Sequence, residues 1–234
     1  MILSKLTAMI LSSTLLSGCA NWDATSTQTD VQAQLADACT THIVNYTETD
    51  TAPNWQTSDY TSIICNGSEA EISGNGAASD ANGITISQAG TYVLSGTLTD
   101  GTLTIDAPSD ALVTVVLNGV SLSCSDSAPF YAKQADKTVV VLANGTENIL
   151  SDGEIYQYPD PETDEPNAAL FSKDDLTITG SGMLTVLGQY NNGIGTKDDL
   201  KITDGTITVI STDDGLVGKD SVGISGGTIS INAQ

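Results

Sequence analysis

The sequence predicts an all-β fold over residues 83–234, built as a parallel β-helix, or β-solenoid, of stacked coils. Short runs of alternating Thr, Ile, Val and Leu recur along this stretch, as is typical of strands with one buried face. Gly, Asn and Asp separate the runs, which is the composition of turns. The pattern repeats every 22–24 residues, and this period fits one coil of such a solenoid.

The period is clearest in three consecutive repeats near the C-terminus. Lys173, Lys197 and Lys219 occupy equivalent positions in them. Apolar residues keep the same spacing, so each is expected to stack on its equivalent in the next coil and to fill the core. The predicted core columns are Leu170/Ile194/Leu216, Leu176/Leu200/Val222, Ile178/Ile202/Ile224, Leu184/Ile207/Ile229 and Val186/Val209/Ile231.

Two features interrupt this regular pattern. Residues 156–166, YQYPDPETDEP, are acidic and rich in proline, which predicts a loop that leaves the coils. The last predicted strand, residues 227–232, falls in mid-repeat, whereas solenoids normally end in a polar cap. We therefore expect the polypeptide to continue beyond Gln234, or an oligomer of the chain to cover the open end.

The N-terminal residues predict export and a lipid anchor. The apolar run from Leu6 to Leu16 is short for a membrane span and leads into Leu16-Ser17-Gly18-Cys19, which resembles a bacterial lipoprotein signal. We predict a signal peptide over 1–18, lipidation of Cys19 and a flexible polar tether over 19–34, which would place the protein at the outer membrane or cell surface. The alternative is an ordinary secretory signal with a chance cysteine. No fold is predicted for residues 35–82.

Three further cysteines follow Cys19 in the chain. In an exported protein, a disulfide between Cys39 and Cys65 is plausible, which leaves Cys124 as a buried thiol. Their spacing matches no metal-binding pattern.

The charge of the chain restricts its partners. Seven basic residues stand against 29 acidic ones, for a net charge of −22. This argues against nucleic acid as a partner, since a phosphate backbone would meet no countercharge. All seven basic residues are lysines, so no arginine is available to bind a carboxylate in bidentate fashion.

Several long stretches resemble a family of secreted bacterial proteins described as carbohydrate-binding domain-containing proteins. They are ITISQAGTYVLSGTLTDGTLTIDAP (84–108), EPNAALFSKDDLTITGSGMLTV (165–186) and DDLKITDGTITVISTDDGLVGKDS (198–221), and the resemblance extends over about 84–231. It implies a right-handed, single-stranded parallel β-helix similar to polysaccharide lyases, with bound calcium. It also implies binding of cellulose and of acidic plant-type polysaccharides.

Carboxylate and amide side chains recur at the turns of the last repeats and predict a calcium site. Stacked carboxylates repel each other, and Ca²⁺ accepts many oxygen ligands at flexible geometry. The predicted ligands are Asn191, Asn192, Asp198, Asp199, Asp213, Asp214 and Asp220. The alternative is purely structural, because Asn and Asp are common turn residues and stack in solenoids without any ligand.

Carbohydrate contacts are predicted at Tyr190, Lys173, Lys197 and Lys219. The tyrosine ring would lie beside the calcium site, and the lysines would reach sugar carboxylates. The alternative for each lysine is an ion pair with a neighbouring Asp on a solvated face.

These observations predict calcium-dependent binding of an acidic, pectin-like or a cellulosic polysaccharide at the bacterial surface. One alternative is a polysaccharide lyase acting on uronate-containing chains, which would need a lysine base because the chain has no arginine. The other is a surface structural or adhesive protein that calcium only stabilises. No catalytic residue is predicted.

Overall fold

The computed structural model describes residues 44–51, 55–158, 160 and 162–234. Its helical elements are α1 (Glu48–Thr51) and a short 3-10 helix (Trp55–Thr57). The strands are β1 (Thr61–Gly67), β2 (Glu69–Ser73), β3 (Ala77–Asp80), β4 (Gly83–Ile86), β5 (Gly90–Leu98), β6 (Thr102–Asp106), β7 (Leu112–Ser123), β8 (Phe130–Gln134), β9 (Lys137–Leu142), β10 (Glu147–Ser151), β11 (Ala168–Ser172), β12 (Asp175–Thr179), β13 (Met183–Gly188), β14 (Asn192–Thr196), β15 (Asp199–Ile202), β16 (Thr206–Ser211), β17 (Leu216–Gly218), β18 (Ser221–Ile224) and β19 (Thr228–Ala233).

The strands form two sheets. The larger sheet has twelve strands and curves into a half-barrel, with the main order β18-β15-β12-β9-β7-β10-β13-β16-β19. It is parallel apart from the antiparallel pair β1–β2. The smaller sheet has the order β17-β14-β11-β8-β6-β4-β3 and is mixed, because β3 and β4 pair in the antiparallel direction.

The predicted columns are confirmed in their pairing, but in the third repeat Val222, Ile224 and Ile231 are exposed instead of filling the core. Leu176 pairs with Leu200, which pairs with Val222, and the other four columns follow the same ladders. The members in the first two repeats are fully or almost fully buried. Alternation of apolar and polar residues therefore set which face of each strand turns inward.

The prediction of a right-handed, single-stranded parallel β-helix with 22–24 residue coils is wrong. The all-β assignment holds, but the strands form a half-barrel and a mixed sheet. The twelve-residue strand β7 pairs with β9 along its first half and with β10 along its second, so one strand serves two arms of the sheet. The regular spacing also ends upstream of residue 168, since Asp175 pairs with Lys137, 38 positions earlier (175 minus 137). The 22–24 residue period of the last three repeats therefore does not extend over all of residues 83–234.

A segment that precedes the strands lies on the outer face of the larger sheet. We call residues 44–51 the N-terminal strap. Gly223 of β18 allows close approach of the strap, since a Cβ atom there would lie 2.7 Å from side-chain atoms of Val44 and Tyr46. Farther along, Trp55 packs on an outer cluster of buried residues: Val93, Val116, Val139, Val141 and Ala143.

The predicted N-terminal features fall mostly outside the described residues. The signal peptide, the tether, Cys19 and Cys39 all lie before residue 44. Cys65 is described and is buried in β1, where burial raises the pKa of its thiol to about 11. The disulfide and the lipid anchor stay predictions. Within the described ranges, no helix has the length and hydropathy needed to span a bilayer.

Candidate functional site

A groove of about 500 Å³ lies on the outer side of the smaller sheet. Strands β6 and β8 supply its floor, through Thr104 and Tyr131, which are paired neighbours in the ladder. The two residues point outward because the flanking residues Leu103 and Phe130 are buried in the core. The groove therefore follows directly from the inward and outward alternation of these strands.

One side of the groove is formed by the acidic, proline-rich excursion. We call residues 152–158, 160 and 162–166 the wall loop. Gln157, Tyr158, Glu165 and Pro166 of this loop line the groove. The Tyr158 hydroxyl donates a hydrogen bond of 2.8 Å to the carbonyl of Pro166, so that side chain is held by its own loop.

A cluster of tyrosines and one buried carboxylate fix the base of the wall loop. The ring of Tyr156 stacks on Tyr190, with centroids 4.2 Å apart and planes inclined by 14°. Tyr156 also donates a 2.7 Å hydrogen bond to Asp152, whose carboxylate accepts another from the backbone of Gln189. Burial raises the pKa of Asp152 and that of Tyr156. The loop is thus a preformed wall, attached to the turn after β13.

Glu165 attaches the other end of the wall loop to two strands. Its carboxylate oxygens form ion pairs with the Nζ atoms of Lys197, at 2.6 Å, and Lys173, at 3.0 Å. Burial alone would raise the pKa of Glu165, but the hydrogen bonds from Lys197 and Lys173 outweigh it and hold the pKa below its ordinary value. The pKa of Lys173 is raised, chiefly by its hydrogen bond to Glu165. Glu165 and Lys173 are therefore charged at neutral pH.

Two more carboxylates, those of Asp100 and Asp126, line the groove. Asp100 accepts hydrogen bonds from the backbone N–H of Ser125 at 2.8 Å and from its hydroxyl at 3.1 Å. The backbone carbonyl of Asp126 accepts a 2.8 Å hydrogen bond from the N–H of Gln157 in the wall loop. Cys124 also lines the groove, and burial raises the pKa of its thiol. The groove thus combines aromatic faces with hydrogen-bond acceptors.

The seven predicted calcium ligands fall into two groups at opposite ends of β14. Asn191, Asn192, Asp213 and Asp214 lie at the turns before β14 and β17, whereas Asp198, Asp199 and Asp220 lie at the turns after them. A five-residue strand is roughly 15 Å long, and calcium ligands lie within about 2.6 Å of the ion. One ion cannot bind both groups. In the described part of the chain, no three His, Cys, Asp or Glu side chains are grouped as a metal centre.

The first group is bound to backbone atoms. The Asn192 side-chain oxygen accepts a 3.1 Å hydrogen bond from the N–H of Asp214, and the Asn191 carbonyl accepts one of 3.1 Å from the N–H of Asp213. Asn192 is buried, while Asp213 and Asp214 are exposed. These contacts support the structural alternative for this turn, in which amides join one repeat to the next.

In the second group, a lysine side chain lies between two stacked carboxylates. The Lys201 ammonium lies 3.7 Å from a carboxylate oxygen of Asp175 and 3.7 Å from one of Asp199. The sequence alone did not suggest this role for Lys201. Asp198 and Asp220 are hydrogen-bonded to each other; burial raises the pKa of Asp198, and the nearby charges and this hydrogen bond add to the effect.

The predicted carbohydrate contacts are only partly near the groove. Tyr190 stacks on Tyr156 and supports the wall loop instead of lining the groove. Lys173 and Lys197 form ion pairs with Glu165 of the wall loop and not with a neighbouring Asp. Lys219 is exposed at the turn after β17. Tyr131, Tyr158, Asp100 and Asp126 were not predicted; the outward position of Tyr131 between two buried residues was the one usable signal.

Comparisons with known proteins agree with the resemblance seen in the sequence. A protein from Acetivibrio thermocellus, described as a carbohydrate-binding domain-containing protein, is 46% identical over 126 residues. The match covers 54% of this chain and 44% of that relative, so the chain spans less than half of the relative's length.

A solved structure is also similar in fold and sequence. It is described as the polysaccharide lyase-like protein from C. thermocellum, in a gadolinium derivative. The TM-score is 0.69 at 34% identity, over 75% of this chain and 83% of that chain. Residues 80–234 match the family model for carbohydrate-binding domain-containing proteins. The chain therefore belongs to the family of carbohydrate-binding domain-containing proteins.

Proposed function

We propose that the groove beside the wall loop binds a polysaccharide chain. The observation that carries this proposal is the combination of Tyr131 and Tyr158 with carboxylates in one preformed groove. Tyrosine rings present apolar faces with a polar tip, which suits the apolar faces of sugar rings. The side-chain oxygens of Asp100 and Asp126 can accept hydrogen bonds from sugar hydroxyls. Family membership supports the same function.

Of the two predicted classes, the groove favours a neutral, cellulosic chain over an acidic one. Asp100, Asp126 and Glu165 all line it, and its described lining contains no lysine. A uronate chain would bring its own carboxylates close to these three, and like charges in contact oppose binding. The net charge of −22 adds to this repulsion at long range.

A binding titration with matched variants tests this proposal. We expect calorimetry to detect binding of a soluble cello-oligosaccharide to the chain, and Tyr131→Ala to weaken it at least tenfold, or about 1.4 kcal/mol. Tyr60→Ala is the control, because Tyr60 is 51% exposed and does not line the groove. Equal affinity of the Tyr131→Ala protein and the wild type would reject this groove as the binding site.

We also propose that calcium binds at the Asp198–Asp220 pair and stabilises this corner of the fold. Asp198 and Asp220 lie at equivalent turns of neighbouring repeats, and a cation with water completing its oxygen shell would relieve their mutual repulsion. We expect millimolar calcium to raise the melting temperature of the wild type and not that of Asp220→Asn. An equal response of both proteins to calcium and chelator would argue against this location.

A lyase is the second candidate function. Tyr131 lines the groove near Lys173; burial raises the pKa of the Tyr131 hydroxyl, and the positive charge of Lys173 opposes that rise and so favours the deprotonated form that a base would need. Incubation with uronate polymers, followed by ultraviolet absorbance of unsaturated products, separates the two functions. A steady rise that Tyr131→Phe abolishes would favour the lyase.

The export prediction gives a proposal of its own: the N-terminal cysteine anchors the protein at the cell surface. Expression of the wild type and Cys19→Ser in a bacterial host tests it. We expect only the wild type to remain in the membrane fraction after a salt wash. A membrane-bound Cys19→Ser protein would contradict lipid anchoring at this residue.

A further inference from the structure

The Glu165 carboxylate occupies a position where two lysine side chains converge. Ser172 and Thr196 are ladder partners in β11 and β14, and Lys173 and Lys197 directly follow them. Adjacent strands lie about 4.8 Å apart, so this register brings the two ammonium groups close together. Both bind the one carboxylate, at 3.0 Å and 2.6 Å. The pair of lysines is thus an anion site that the protein fills with its own side chain.

This site borders the groove. Glu165 itself lines the groove, and Lys173 interacts electrostatically with Tyr131 on the groove floor. The side chains of Lys173 and Lys197 are 41% and 35% exposed, so neither ammonium is sealed off from solvent. Among the described residues, Glu165 is the acidic residue that both pairs with the two lysines and lines the groove.

We propose that Glu165 determines the charge class of the glycan that the groove accepts. Its carboxylate occupies both lysines, so neither ammonium is free to bind the carboxylate of a uronate chain. Without that charge, Lys173 and Lys197 become available to a uronate carboxylate, which has the same chemistry as the glutamate it replaces. This selectivity rests on the proposed function of the groove.

The substitution Glu165→Gln tests the proposal, because it removes the charge and keeps the shape of the side chain. By calorimetry at low salt, we expect at least a tenfold gain in affinity for an oligogalacturonate. Because Glu165 also fastens the wall loop, affinity for a neutral cello-oligosaccharide should not rise, so the ratio of oligogalacturonate affinity to neutral affinity should increase at least tenfold. The gain should shrink at high salt, since the contacts are partly exposed.

Two matched variants isolate the cause. Glu162→Gln removes an exposed charge from the same loop and should give no gain. In a Lys173→Gln/Lys197→Gln background, adding Glu165→Gln should change oligogalacturonate affinity less than twofold. A gain that persists without the lysines would overturn the proposal, because general repulsion would then explain it.

The outcomes also separate this proposal from the one on which it rests. Suppose that the wild type and Glu165→Gln both bind the neutral oligosaccharide but neither binds oligogalacturonate. The proposed role of Glu165 is then overturned, and the groove remains the binding site. If the wild type binds no neutral glycan, the proposed function is overturned and the selectivity with it. The near-ultraviolet circular dichroism of each variant verifies its fold.

Discussion

The N-terminal strap and the wall loop are two segments that leave the strands and lie back on the outer face of a sheet. Each is fastened by one acidic side chain to residues outside its own segment. Asp50 of the strap binds Lys137 of β9 and Thr177 of β12, while the strap's backbone accepts a 2.6 Å hydrogen bond from Thr203. Glu165 of the wall loop binds Lys173 and Lys197.

The two anchors differ in their exposure to water. Asp50 is completely buried and its partner Lys137 nearly so, whereas Glu165 and its two lysines are partly exposed. The strap therefore seals its face of the sheet, and the wall loop leaves a groove beside it. The same kind of contact serves stability in the first case and a binding surface in the second.

The largest expected effect comes from breaking the buried anchor. Asp50→Asn leaves the Lys137 charge buried without a counterion, which typically costs about 3–5 kcal/mol in the free energy of unfolding. Urea denaturation at pH 7 measures this loss. Glu165→Gln is the matched comparison and should cost under about 1 kcal/mol, because its ion pairs are solvated.

Two further proteins sharpen that experiment. The double variant Asp50→Asn/Lys137→Met should recover part of the loss, since no unpaired charge remains. Asp110→Asn, at an exposed position, should leave stability unchanged. Equal losses for Asp50→Asn and Glu165→Gln would contradict the distinction between a sealed and a solvated anchor.

The stability that each anchor contributes should depend on pH, and the dependence should be larger for Asp50 than for Glu165. Burial alone would raise the pKa of Asp50, but hydrogen bonds from Lys137, Thr177 and Thr47 outweigh it and hold the pKa well below 3.8. A carboxylate with a lowered folded pKa stabilises fully above its unfolded pKa, and this contribution is lost as the pH falls through the folded pKa. The stability gap between wild type and Asp50→Asn should therefore narrow as pH falls below about 4.

For Glu165 the sign is the same, since its folded pKa is also lowered, from an ordinary value of 4.5. The stability difference between the wild type and Glu165→Gln should narrow below about pH 4.5. It should be smaller than the difference for Asp50→Asn at every pH. Urea denaturation of wild type and both variants at several pH values from 7 to 3 measures both gaps. A gap for Asp50→Asn that widens in acid would show that its carboxylate is protonated at neutral pH.

The sequence allowed the ladder to be predicted but not the segments that lie on it. Columns such as Leu176/Leu200/Val222 could be predicted because apolar residues recur at the same position in each repeat. The contacts of Asp50 join residues 87 and 127 positions apart, and no periodicity links them. The antiparallel pair β3–β4 was missed because alternation marks a strand without giving its direction.

The site was predicted less well than the core for a related reason. The repeat pattern predicts which residues stack on each other in neighbouring strands. It does not predict which outward-facing side chains are covered by another segment of the chain. Tyr190 appeared free to bind sugar, yet the wall loop places Tyr156 on it. Tyr131 keeps one side open, although its ladder partner Phe171 is almost fully buried. The course of a proline-rich loop decides between these outcomes.

Loosening the wall loop should reduce binding more than stability. Tyr190→Ala removes the ring on which Tyr156 stacks, a contact worth about 0.5–1.5 kcal/mol beyond its buried area. With the wall less ordered, we expect cello-oligosaccharide affinity to fall about three- to tenfold, measured by calorimetry. Tyr60→Ala is the control. Unchanged affinity for Tyr190→Ala would mean that the wall needs no support from the repeats.

The smallest expected effect has the opposite sign from that of Asp50 and involves Asp198. Burial and the neighbouring carboxylates raise the pKa of Asp198. A carboxyl group with a raised folded pKa contributes stability at low pH, and that contribution is lost as pH rises through the folded pKa. At neutral pH its charge opposes that of Asp220. Asp198→Asn should therefore raise the melting temperature by about 1–2 °C at pH 7 without calcium, and leave it unchanged at pH 3.

Calcium should reverse the order of these two proteins. If the ion binds at the Asp198–Asp220 pair, saturating calcium stabilises the wild type alone, so Asp198→Asn becomes the less stable protein. Asp136→Asn, an exposed change outside this column, is the control and should follow the wild type in both conditions. A more stable Asp198→Asn in both conditions would show that the stacked carboxylates only repel, and that Lys201 alone offsets charge at this corner.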